Sequence, residues 1–194
     1  MKKEVHKMIT LTDIDVINLL RKNGLDADEL QTNVVELLAK NGLKIATAES
    51  CTGGLISERI TSVSGASAVF DCGICSYANS IKEKLLGVSG ETLEVLGAVS
   101  AETAIQMAEG IRKVSGADIG LSTTGIAGPT GGTELKPVGT VFVGICTEKR
   151  TYAIHLKLGG VNIVNSRSYI RRVASDAVLF TAINEIHFLK QPRE

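Results

Sequence analysis

Tryptophan is absent from this chain, and phenylalanine and tyrosine are scarce, so that aromatics make up only 4% of its 194 residues. That scarcity argues against the aromatic platforms on which proteins stack unpaired bases. An excess of either charge is also missing. Lys+Arg and Asp+Glu both number 21, so no global field draws the chain to nucleic acid or acidic lipid, and neither partner is expected. An anionic substrate must then be captured locally. The four cysteines, at positions 51, 72, 75 and 146, are too few and too unevenly placed for a disulfide framework. No apolar run approaches membrane-spanning length, and the basic start, Met1 to Met8, lacks the apolar core of a signal peptide. A cytoplasmic location is expected. With 44% hydrophobic and 22% charged residues, the composition is that of a globular domain, and the length suits one core. Internal repeats, low-complexity tracts and linkers are not evident.

One stretch organises the rest: Ala46-Thr47-Ala48-Glu49-Ser50-Cys51-Thr52-Gly53-Gly54. Leu43 to Ala46 reads as a buried strand and Leu55 to Ile60 as an amphipathic helix, which places Ser50 at the bend between them. The two glycines allow backbone N–H groups to turn toward a ligand, and a helix N-terminus adds partial positive charge. An ordinary strand–helix turn with Ser50 as N-cap is the plainer reading of the same residues.

Along the chain, residues 11–23 predict a helix with Ile14, Ile17 and Leu20 on one face and Gly24 as its stop. This segment could be an appendage or an oligomer contact, so residues 1–26 are read as a helical extension and residues 27–190 as the main domain. Asp26 with Glu29 resembles a capping box, opening a helix that carries Leu30, Val34, Leu37 and Leu38 and closes at Gly42. Residues 68–77 predict a strand, Asn79 or Ser80 to Leu86 a helix, Glu91 to Leu96 another, and Ser100 caps a longer one with Ala104, Met107, Ala108 and Ile111 on one face. Asp118 to Thr124 predicts a strand running into the glycine-rich loop Gly125–Gly132. Val138 to Cys146 and Thr151 to Leu158 predict an antiparallel hairpin. Asn165 or Ser166 begins a long final helix with Ile170, Val173, Ala177, Phe180 and Ile183. Alternating helices and strands followed by a hairpin predict a three-layer α/β/α domain with a mixed sheet. Both glycine loops follow strands, so they should face one crevice at strand carboxyl ends.

Several constellations compete for the chemistry. Cys72-Gly73-Ile74-Cys75 has Cys-x-x-Cys spacing, yet it lies in a predicted strand rather than at a helix start, and no second pair completes a zinc site. Buried, reduced cysteines are the better reading, with a redox or metal role the weaker one. Cys51 is a nucleophile candidate without an evident histidine partner. Of His6, His155 and His187, none has metal-ligand spacing with another, and only His155 could complete a Ser-His-Asp arrangement. The Gly125–Gly132 loop lacks the Lys-Ser/Thr of a P-loop and the dinucleotide spacing, leaving a nest of donors for phosphate or oxyanion, or a long turn. Tyr77 and Lys82 follow the Cys75 strand. A desolvated lysine can act as base for a serine, but chemistry alone does not separate Lys82 from Lys84. Arg167 and Arg171, one helical turn apart, suit a phosphate or simply form a solvated basic face.

These segments together resemble the C-terminal domain family of CinA, which includes the stand-alone PncC-type nicotinamide mononucleotide amidases. The resemblance rests on Ala48 to Gly54, on Ser76-Tyr77 with Lys82 and Leu86-Gly87-Val88, and on Gly97-Ala98-Val99-Ser100. Thr124 to Pro129 with Gly131-Gly132, Lys136 to Val141, and Arg167 with Arg171 complete it, spanning about residues 28–188 in order. It implies hydrolysis of the carboxamide of nicotinamide mononucleotide to nicotinic acid mononucleotide and ammonia, with no metal or organic cofactor. By similarity Ser50 is the nucleophile, Lys82 its base and Tyr77 an associated hydroxyl. Substrate binding then falls to Thr52, Gly53, Gly54, Thr124, Gly125, Gly128, Gly132, Arg167 and Arg171. A pyridine nucleotide is the expected partner, and an obligate homodimer is reasonable for such a fold. A non-catalytic nucleotide-binding or regulatory domain that keeps the same pocket is the alternative. The first twenty-odd residues have no counterpart in that family, the N-terminal domain of CinA is not expected, and the segment 159–166 is longer than the family's usual link into Arg167.

Overall fold

The computed structural model describes residues 8–159 and 166–191. His6, Asn165 and most of the 159–166 segment lie outside the described residues.

Six strands form one mixed sheet: β1 (Ile9–Thr12), β2 (Ile45–Glu49), β3 (Phe70–Cys75), β4 (Ile119–Gly125), β5 (Thr140–Cys146) and β6 (Thr151–Lys157). Their order is β1-β6-β5-β4-β2-β3. β2 is the centre of a parallel trio with β3 and β4, so the carboxyl ends of all three emerge along the same edge. β5 is antiparallel to β4 and β6, which confirms the hairpin.

The helices are α1 (Asp13–Lys22), α2 (Leu30–Asn41), α3 (Leu55–Thr61), α4 (Asn79–Leu86), α5 (Gly90–Val95), α6 (Ala101–Ser115) and α7 (Ser166–Lys190). On one face of the sheet Ile45, Leu121, Val143 and Ile145 pack with residues of α1, α2, α3 and α7 in the larger core. On the other, Ala46 and Ala48 meet Leu86 of α4 and Met107 and Ile111 of α6. This is the three-layer α/β/α arrangement. Alternation within the strands explains it: in β4, Ile119 and Leu121 point to the larger core, while Gly120 and Ser122 face α6. A Cβ added at Gly120 would lie 2.3 Å from the Ala108 carbonyl oxygen, and one at Gly144 only 2.1 Å from that of Ala104. The backbone of α6 therefore rests directly on the sheet.

The beginning of the chain departs from expectation. Residues 9–12 are a strand, pairing in parallel with β6, and α1 starts only at Asp13. Thr12 caps it, in a reciprocal box with Asp15. With β1 fixing its rotation, α1 buries Val16 and Leu20 and leaves Ile14 and Ile17 exposed, so the predicted face was correct only at Leu20. The expected Asp26–Glu29 box does not form. The Asp26 carboxylate instead accepts from the Asp28 N–H (2.9 Å), and α2 begins after Glu29 without a side-chain cap. The buried reading of the Cys-x-x-Cys pair also fails: in β3, Cys72 is half-buried and Cys75 exposed, both as free thiols. β3 is the edge strand of the sheet, which explains the exposure.

Candidate active site

Strand pairing continues to the end of β2, where the Ser50 N–H donates to the Thr123 carbonyl at 3.0 Å. The chain then turns through Gly53 (φ +62°) and Gly54 (φ +92°) into α3, a left-handed pair of conformations that glycine adopts without strain. Ser50 is thereby held at the rim of the parallel trio. From β3, the neighbouring carboxyl end, Ser76 and Tyr77 lead into α4. Lys82 occupies the buried stripe of α4, one turn before Leu86, and is 1% exposed. Lys84 points to solvent, so packing decides between the two lysines.

The Lys82 Nζ lies 3.2 Å from Ser50 Oγ, 2.6 Å from the Ser76 carbonyl oxygen and 3.4 Å from that of Tyr77. No described ion pair includes Lys82. Burial pushes its pKa below the ordinary lysine value. A neutral amine has two N–H groups and one lone pair. Two carbonyls can take the N–H groups, leaving the lone pair for the serine hydroxyl. The arrangement suits a base and a nucleophile.

Ser50, Cys51, Tyr77, Lys82, Ala98, Val99, Thr124, Gly125, Ala127 and Arg167 line a cleft of about 220 Å³. The two glycine-bearing loops do converge on it. Thr124 Oγ1 donates to the Ala98 carbonyl (2.6 Å), fixing the 97–99 loop as one wall. Arg167 bridges the mouth, donating through Nη1 to the Gly128 carbonyl (3.0 Å) and through Nη2 to the Tyr77 hydroxyl (3.2 Å). Cys51 shares the cleft, but burial drives its thiol up to about 12, so it is protonated at neutral pH and a poor nucleophile.

Other expected site residues stand back from the cleft. Thr52 is fully buried, and its hydroxyl donates to Glu49 (2.7 Å). The N–H of Gly53 donates to the Ser50 carbonyl (3.2 Å) and that of Gly54 to the Glu49 carboxylate (2.9 Å), so both donors are engaged within the turn. Gly132 packs by the Val138 N–H, which a Cβ would approach to 2.7 Å. Arg171 turns its guanidinium to the Thr52 carbonyl, at 2.9 Å from Nε and 2.7 Å from Nη2. His155 stacks on Phe142 at 4.6 Å between ring centroids and is not among the cleft residues, so no Ser-His-Asp set assembles among the described residues. Among the described residues no group of three or more His, Cys, Asp or Glu could hold a metal ion, and no helix is long and apolar enough to cross a membrane.

Sequence reasoning missed Glu49. It is wholly buried, and its carboxylate gathers the N–H groups that open α3. The available signal was an acidic residue closing a strand with no other charged residue, just before a glycine turn. Ala98, Val99 and Ala127 stood in segments that carry the family resemblance, but were not singled out as walls of the cleft.

Fold and site define a three-layer α/β domain with a serine–lysine pair at the carboxyl ends of parallel strands. The family model for the CinA C-terminal domain matches residues 27–185, and the chain belongs to that family. A relative from Thermoanaerobacter pseudethanolicus, named as competence-damage inducible, is 57% identical over 137 residues, 71% of this chain and 33% of its own. A CinA-like protein from Kosmotoga olearia is 56% identical over 137 residues, again 71% of this chain and 33% of its own. The chain thus spans about a third of the length of these curated relatives. Among solved structures, the competence/damage inducible protein CihA from Agrobacterium tumefaciens superposes with a TM-score of 0.76 at 38% identity, covering 81% of this chain and 95% of that one.

Proposed function

We propose that the chain is an amidohydrolase that converts nicotinamide mononucleotide to nicotinic acid mononucleotide and ammonia. The observation carrying this reading is a buried Lys82 outside every described ion pair, with its nitrogen 3.2 Å from Ser50 Oγ inside the cleft. Ser50 Oγ attacks the carboxamide carbon while its proton passes to Lys82 Nζ. The resulting ammonium returns the proton to the departing nitrogen, the C–N bond breaks, and ammonia leaves an acyl-enzyme ester. Water, deprotonated by Lys82, then releases the acid. Main-chain donors of the cleft wall, foremost the Cys51 N–H beside the nucleophile, stabilise the oxyanion. Arg167 and the Tyr77 hydroxyl at the mouth receive the phosphate end, whose binding positions the distant amide.

Ser50→Ala decides the matter. With a panel of pyridine amides, coupled detection of ammonia should show turnover by the wild type, best with the mononucleotide, and a loss of about 10³-fold or more in the variant, with substrate still bound. Undiminished turnover by Ser50→Ala would remove Ser50 as nucleophile. Tight binding without turnover by the wild type would favour a non-catalytic nucleotide-binding domain.

A further inference from the structure

We propose that Glu49 and Arg171 are positioning residues that set the Ser50 turn, Glu49 through N–H groups and Arg171 through the Thr52 carbonyl. The proposal rests on Ser50 being the nucleophile. Neither residue lines the cleft, so both act through the backbone that carries Ser50.

Glu49 accepts five hydrogen bonds: from Thr52 Oγ1 (2.7 Å), Gly54 N (2.9 Å), Ile56 N (3.1 Å), Ser57 N (2.8 Å) and Ser57 Oγ (2.6 Å). No described ion pair includes it. A buried carboxylate without a cation is tolerated only where donors converge on it, as here. Because an ionised carboxylate only accepts, the Thr52 O–H points to Glu49, and the 2.7 Å contact between Thr52 and Thr123 must have Thr123 donating. By the same logic Thr47 donates to Ser57 across 2.8 Å. The hydroxyls beneath the turn thus share one orientation, set by a single charge.

Arg171 reaches the turn from α7. Two of its nitrogens converge on the Thr52 carbonyl, and Nη2 would stand 3.5 Å from a Cβ at Gly53. The segment it grips contains two adjacent glycines in left-handed conformations, which on their own hold the backbone loosely. A lysine would supply charge but not the two-nitrogen grip.

The rival role for Arg171, a second phosphate ligand beside Arg167, makes a different prediction, and one experiment separates them. Wild type, Arg171→Ala, Arg171→Lys and Glu49→Gln are treated with a small alkyl fluorophosphonate, and the adduct is located by peptide mass spectrometry. In this reaction the Ser50 Oγ–P bond forms, the P–F bond breaks, fluoride leaves and the serine proton passes to Lys82. The expected result is wild-type labelling at Ser50, with a labelling rate reduced on the order of tenfold to hundredfold in Arg171→Ala and partly restored in Arg171→Lys. The pH midpoint of labelling should be unchanged in the Arg171 variants, and thermal melting should show them folded at the labelling temperature. In amide turnover the loss should fall on kcat, equally for the mononucleotide and its riboside. Arg171 is half-buried on α7 and carries the test even where Glu49→Gln fails to fold. Labelling of Arg171→Ala at the wild-type rate, or a KM defect confined to the phosphorylated amide, overturns the proposal while leaving Ser50 as nucleophile. A wild type without adduct at Ser50 overturns the nucleophile reading and this proposal with it.

Discussion

A lysine with no carboxylate partner among the described residues and a serine oxygen 3.2 Å away make pH the most informative variable at the scale of single residues. If neutral Lys82 is the base, kcat/KM rises with pH through a midpoint below the ordinary lysine value of 10.5. Lys82→Met should abolish that limb and lower turnover by about 10²–10⁴-fold; an intact limb in the variant would assign it to another group. Stability carries the same signature. The folded chain binds the Lys82 proton less readily than the unfolded chain does, so between the depressed value and 10.5 the unfolded state holds more protons. Stability relative to Lys82→Met therefore rises with pH across that window, and the Tm difference between the two proteins, followed against pH, should show it. At the mouth, Arg167→Ala should raise KM more for the mononucleotide than for the riboside, and equal effects would detach Arg167 from the phosphate. The place of Ser50 at the bend was legible from a serine between a strand and two glycines, whereas its role as nucleophile came from the family resemblance. Glu49 was not legible, and Lys82 was separated from Lys84 by the family resemblance alone, since local chemistry does not show which side chains the tertiary packing buries.

At the scale of elements, the helix stops were the most legible features. Gly42 and Gly87 end α2 and α4 in left-handed conformations, as expected of glycine at helix ends, and Gly116, which the sequence reading did not single out, ends α6 in the same way. Ser100 caps α6, accepting from the Thr103 N–H at 3.2 Å. What sequence could not reveal was how closely elements approach, because contacts made by a missing side chain leave no periodicity. Gly110 is an example: a Cβ there would lie 1.9 Å from the Leu86 carbonyl oxygen at the end of α4. Gly110→Ala should push α6 and α4 apart, destabilising the fold by about 1–3 kcal/mol, and should displace Lys82, which α4 carries. Urea melts together with ammonia release test this. A stability loss without any loss of activity at low temperature would show that Lys82 is positioned independently of that contact.

Across the whole molecule, the sheet separates the N-terminal strand from the cleft, since β6 and β5 lie between β1 and β4. The first strand escaped sequence reading because Ile9–Thr12 is only four residues long and mostly exposed; pairing with β6 is what makes it a strand. The segment is nonetheless tied into the molecule through buried Val16 and Leu20 and a 3.2 Å hydrogen bond from the Tyr169 hydroxyl to Asp13. Deleting residues 1–26 should lower Tm by removing those two buried side chains, each worth at most about 1.5–3 kcal/mol. Ser50 should remain reactive toward a fluorophosphonate in the molecules that fold, and loss of labelling at full foldedness would make the N-terminal segment part of the site.

Many α/β proteins leave the opening turn of a helix vacant, so that a nucleotide's phosphate can settle on its amides. Here that berth is already taken by the chain's own Glu49 carboxylate. A triphosphate arriving in search of such a cradle would meet a resident negative charge, and under the proposed function the anionic end of the substrate meets the Arg167 guanidinium of α7 instead. Excess inorganic phosphate should accordingly compete in a manner that weakens with added salt, as attraction to a partly exposed cation does.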